Sequence, residues 1–129
     1  SASFRLGELT LSGLTDTDRR ATLVKLMQHL ETYFPSRVAL NVRQALIKDI
    51  RTIMEQALAN GYESLQALLH WCTVYGYLGE LSLWHTAAPG IYDLFHRWPG
   101  TAAEAQAREA AMIAMSSAGT QVQGEPIHG

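Results

Sequence analysis

The chain has 129 residues, a hydrophobic fraction of 47%, a charged fraction of 17% and a formal net charge of −2. That length suits one domain with a core of its own, and the balance excludes general polyanion binding, which needs a positive field. A single cysteine, Cys72, excludes an intrachain disulfide, and no apolar run approaches the ~20 residues of a membrane-spanning helix.

The opening SASFRLGELT lacks the charged start and apolar centre of a secretory signal, so a cytoplasmic location is expected. In residues 4–14, Leu6, Leu9, Leu11 and Leu14 alternate imperfectly between Gly7 and Gly13. This predicts an extended arm, or a short strand, across residues 1–14. Thr15 and Asp18 then form a capping-box start. From Asp16 to Phe34, the residues Leu23, Leu26, Met27, Leu30, Tyr33 and Phe34 fall on one helical stripe, which Pro35 stops.

A second helix is predicted from Val38 to Ala59, burying Val42, Leu46, Ile50, Ile53, Ala57 and Leu58 and leaving at Asn60-Gly61. Ser64 caps a third helix through Leu65, Leu68, Leu69, Cys72 and Tyr75, expected to loosen around Gly76–Gly79. Residues 80–88 fit either a continuation or a structured loop. Pro89 opens a fourth helix with Ile91, Leu94, Phe95 and Trp98 inward, ended by Pro99-Gly100. Thr101 and Glu104 make a second capping box before an alanine-rich fifth helix to about Ser116, and residues 117–129 read as a frayed tail. The expected fold is therefore all-α, a single-domain bundle of about five helices with an extended N-terminal arm.

Charge and aromatics are unevenly placed. Residues 1–60 carry eight Lys/Arg against six Asp/Glu, whereas residues 61–129 carry two against six. Seven of the eleven aromatics lie between His70 and Trp98, the stretch that also holds three of the five histidines. The simplest account of Trp71, Tyr75, Phe95 and Trp98, at helical spacing, is core. Tyr77, Trp84 and Tyr92 sit beside helix breakers and are flanked by Glu80 and Asp93. They would make an apolar anchor with an acidic rim, the arrangement of a protein–protein hot spot. Glu80, Trp84, Asp93, Tyr77 and Tyr92 are accordingly the candidate partner-binding residues.

No constellation for catalysis accompanies them. Ser82, His85 and Asp93 are triad types without a nucleophile elbow. Cys72 lies on the apolar stripe of its helix, where cysteine behaves as a small hydrophobe. His70 and Cys72 are two apart on a helix and diverge by about 200°, and His85 and His96 fall on separate elements, so neither a metal nor any other cofactor is expected. Arg37, Arg43, Lys48 and Arg51 could line a helix, but Asp49 and Glu55 interrupt them, which argues against nucleic acid.

The order of signals resembles a known group. A helix ends in Tyr33-Phe34-Pro35, another in Ala57-x2-Asn60-Gly61-Tyr62, then come Leu65, Leu68 and Leu69, Tyr75-Gly76-Tyr77-Leu78-Gly79, and a Pro89-led helix with Ile91 and Leu94. This resembles small all-helical proteins encoded beside effectors in bacterial type VI secretion clusters, over about residues 16–98. Many members have Phe-Asp after the leucine-glycine, where this chain has Glu80-Leu81-Ser82. The resemblance implies a non-enzymatic, protein-binding role. One form is an immunity protein that occludes the active site of a co-encoded toxin, such as a nuclease. The alternative is an accessory or chaperone-like protein that holds an effector before loading. No membrane or nucleic-acid partner is implied, and a homo-oligomer is compatible with the same sequence.

Overall fold

The computed structural model describes the backbone of residues 14–124 and the side chains of residues 14–118. The predicted arm, save Leu14, and the last five residues of the predicted tail lie outside the described residues. Those described form seven α-helices and no strand: α1 (Asp16–Tyr33), α2 (Pro35–Ala39), α3 (Arg43–Ala59), α4 (Leu65–Leu78), α5 (Trp84–Ala87), α6 (Pro89–His96) and α7 (Ala103–Gly124). The all-α expectation holds, and the helix count of about five is corrected.

Local chemistry accounts for several of the ends. The Thr15 side chain accepts from the Asp18 amide and the Asp18 carboxylate accepts from the Thr15 amide, at 3.0 and 3.3 Å. Pro35 ends α1 and also begins α2, because its fixed φ suits the first position of a helix. The Ser64 hydroxyl accepts from the Ala67 amide at 3.1 Å, and Gly61 (φ 104°) and Gly79 (φ 86°) supply the left-handed residues that turn the chain after α3 and α4.

Three expectations are revised by the structure. The helix predicted over 38–59 is broken at Leu40–Val42. The Asn41 side chain donates to the Arg37 carbonyl at 2.6 Å, offering the backbone an alternative to a further helical turn. Val42 then takes extended geometry as the residue before α3 and, 72% exposed, leaves the stripe on which it was placed. Second, α4 stays helical through Gly76 and ends at Leu78, at the far edge of the expected Gly76–Gly79 stretch. Third, Thr101 lies inside a 3-10 turn over Gly100–Ala102 instead of capping α7, and α7 continues past Ser116 to Gly124.

Helix α4 is the hub, packed against α1, α3 and α7. Its contact with α7 is made through a seam of small residues, with Ala107, Ala110 and Ala114 fully buried. Two side-chain devices close the C-terminal ends of helices, whose last carbonyls have no intrahelical partner. At α4, Arg37 donates from Nε to the Gly76 carbonyl and from Nη2 to the Tyr77 carbonyl, both at 3.2 Å. The cation also suits the negative end of the helix dipole. At α6, Tyr62 Oη donates to the Leu94 carbonyl at 2.5 Å and Asn60 Nδ2 to the Phe95 carbonyl at 2.8 Å. Gln106 Nε2, from α7, donates to Tyr62 Oη at 2.7 Å and to the Arg97 carbonyl at 3.0 Å.

Arg37→Met keeps most of the aliphatic stem and removes the donors. It is expected to cost about 1–3 kcal/mol in urea unfolding, since two carbonyls lose their partner. Arg37→Lys should recover little of that, because an ammonium lacks the planar fork that meets two acceptors at once. Wild-type stability in both variants would overturn the assignment.

Candidate protein-contact surface

The five candidate residues do not form the cluster that their sequence neighbourhood suggests. Trp84 is the principal correction. It is fully buried and presents no anchor to a partner. Gly79 and the 3-10 turn over Leu81–Leu83 fold the chain back so that the Trp84 indole lies near-parallel to Trp71, 6.0 Å between ring centres. It meets Phe95 edge to face at 5.2 Å, and its Nε1 donates to the Gly79 carbonyl at 2.9 Å. Tyr62, Trp71, Trp84 and Phe95 thus form one aromatic core. Within it the Trp71 indole N–H has no hydrogen-bond partner among the described residues.

The other four candidates divide between two places. Tyr77, half-buried, meets Phe34 of α1 edge to face at 4.9 Å. Glu80 is exposed at the exit of α4, and Tyr92 and Asp93 lie on the outer side of α6. Tyr92 is packed between two imidazoles, His85 of α5 at 4.9 Å and His96 of α6 at 4.3 Å. The His96 Nδ1 is 2.9 Å from the Tyr92 carbonyl, which cannot donate, so Nδ1 carries the proton there.

Trp98, placed in the core by its spacing from Ile91 and Leu94, is 72% exposed. Helix α6 ends at His96, Arg97 is extended (φ −90°, ψ 126°), and the buried side chain at this point is Pro99. One face of the Trp98 ring rests on Gly61, where a Cβ would come within 3.0 Å of Cε3, Cζ3 and the Pro99 ring. The signal for this was present: a residue before proline is pushed out of helical geometry, so Trp98 cannot continue the register of α6. The structure therefore exchanges the two tryptophans. At the surface of this acidic half of the chain stand Trp98, packed on Gly61, and separately the His85, Tyr92 and His96 rings with Asp93 beside them in sequence.

A separate groove lies between α1 and α4, with a volume of about 450 Å3 and a lining of His29, Tyr33, Phe34, Gln66, Leu69, His70, Thr73 and Tyr77. The His29 Nε2 is 2.8 Å from Thr73 Oγ1, and Thr73 Oγ1 donates to the Leu69 carbonyl at 3.1 Å. Burial, and then the charge of His70, hold the His29 imidazole below its ordinary pKa. Burial, and then Arg108, do the same to His70 against an opposing effect of Glu104.

Cys72 is fully buried, 3.5 Å from the Leu26 carbonyl, and desolvation pushes its thiol far above the usual range. A thiol held neutral in this way is a poor nucleophile and metal ligand. The described residues hold no cluster of three or more His, Cys, Asp or Glu placed to bind a metal ion. No helix among them is long and apolar enough to cross a membrane. The chain matches no protein-family model, no curated protein and no solved structure.

Proposed function

We propose that this chain is a non-catalytic, cytoplasmic domain that binds one protein partner, and that the partner is a toxin encoded beside it which the domain neutralises by occlusion. The observation that carries the reading is Trp98, a tryptophan left 72% exposed in the half of the chain with the acidic excess. A large exposed aromatic on a fixed backbone buries much area on binding at small entropic cost, as hot-spot residues do. Asp93 and Glu80 would face a basic cleft such as a nuclease uses, speeding association while the aromatic slows dissociation. The resemblance in the order of helix ends supports the same reading. An accessory role, holding an effector before loading, is the alternative on the same surface.

Co-purification with the product of the adjacent gene tests it. An equimolar complex without toxin activity supports neutralisation, an equimolar complex that stays active assigns the accessory role, and no complex overturns both. Within that complex Trp98→Ala is expected to cost about 2 kcal/mol of affinity, seen as faster dissociation, with the melting temperature nearly unchanged. Unchanged affinity would remove Trp98 from the interface. Glu80→Lys with Asp93→Lys is expected to slow association, and to do so less at high salt.

A further inference from the structure

The groove between α1 and α4 takes no part in the proposed partner surface, and its chemistry points to a ligand of its own. Tyr33, at its edge, is 67% exposed although its ring already meets His29 at 4.9 Å. Phe34 and Tyr77 stand edge to face beside it. Rings set this way offer faces and edges that an inserted aromatic ring can meet at offset or T-shaped geometry. The lining includes two imidazoles but no carboxylate to neutralise a bound cation.

A hydrogen bond orients the tautomer of His29. Thr73 has one hydroxyl proton and directs it to the Leu69 carbonyl. The contact with His29 therefore needs its proton on Nε2. This leaves Nδ1 of His29 as the nitrogen that takes up a proton when the imidazole becomes a cation.

We propose that this groove binds a small aromatic carboxylate, with its ring against Tyr33 and Tyr77 and its carboxylate beside the imidazoles of His29 and His70. Its volume of about 450 Å3 lies in the range of small-molecule sites. In the free protein partial burial disfavours the charged form of both imidazoles, the charge of His70 adding to this at His29 and that of Arg108 of α7 at His70. Tyr33 on α1, Tyr77 on α4 and Glu104 on α7 complete the titratable groups around the pair. A bound carboxylate adds a counter-charge to that of Glu104, so binding takes up protons. Affinity rises as pH falls through the imidazole range, so long as the carboxylate, with a pKa of about 4 to 5, remains ionised.

The test titrates 3-phenylpropionate into the full chain and follows the histidine ring resonances by NMR. Binding is expected to be about tenfold tighter near pH 5.5 than near pH 8, as a rise of about one unit in an imidazole pKa on binding would make it. It should perturb His29 and His70 while sparing His85 and His96. The neutral 3-phenylpropanol should show no such pH dependence. Tyr33→Ala, at an exposed position, should weaken binding several-fold without loss of fold, and His29→Gln with His70→Gln should remove the pH dependence. Equal affinity at the two pH values, shifts spread equally to His85 and His96, or no saturation would each overturn the proposal. A partner complex that forms normally alongside such a failure would leave the protein-binding role standing.

Discussion

Trp84→Ala is expected to cost about 3–5 kcal/mol of stability, the range for truncating a large aromatic in a core. The residue is fully buried against Trp71 and Phe95. Its removal opens a cavity in the aromatic cluster and leaves the Gly79 carbonyl without its indole donor. Against a typical total of about 5–15 kcal/mol, a loss of that size leaves a substantial unfolded fraction on warming. Urea unfolding followed by far-ultraviolet dichroism measures it. A loss under about 1 kcal/mol would mean that Trp84 is not held as described. Trp98→Ala, in the same assay, should fall within about 0.5 kcal/mol of wild type. The two variants together separate the tryptophan that builds the fold from the one left at the surface.

Gly76→Ala is expected to destabilise by about 1–3 kcal/mol, although alanine favours helix over glycine by about 1 kcal/mol. Gly76 lies inside α4, where an added Cβ would come within 2.6 Å of the Phe34 ring. That separation cannot be kept. Phe34 would have to leave α4, disturbing its packing on Tyr77 and the Pro35–Ala39 turn that carries Arg37. A double-mutant cycle with Phe34→Ala isolates the cause. With the ring gone, Gly76→Ala should become neutral or stabilising, a coupling of about 1–3 kcal/mol. Strictly additive losses would show that the ring is not what excludes a side chain at position 76.

The two devices that close helix ends draw on the same sequence signals, the Phe34-Pro35 helix end and the Asn60-Gly61-Tyr62 exit. Phe34 sits on Gly76, and Arg37, two residues beyond Pro35, caps α4. Asn60 and Tyr62 cap α6 across the fold. Each motif places one half of a joint between helices far apart in sequence. These residues are accordingly fold-building.

What the sequence determined by itself is the local chemistry. The capping box at Thr15, the stop at Pro35, the stripe from Leu46 to Leu58, the Ser64 cap and the Pro89 start each rest on residues within a few positions of one another. All of them are present. The acidic balance of the second half was equally plain, since counting charges needs no fold. Only the tertiary structure decided which tryptophan would be buried. Trp84 and Trp98 both stand beside helix breakers, and burial depends on which breaker returns the chain toward Trp71. The turn after Gly79 does so, whereas Pro99 takes the inward position and leaves Trp98 outside. Helix continuity at Gly76 and its loss at Leu40 were settled the same way, by Phe34 closing on one and by Arg37 and Asn41 diverting the other. At Gly76 and Trp84 the deciding contact joins residues on different helices, where intrinsic propensity yields to packing, whereas at Leu40 the local bond from Asn41 to the Arg37 carbonyl acts beside the distant hold of Arg37 on α4.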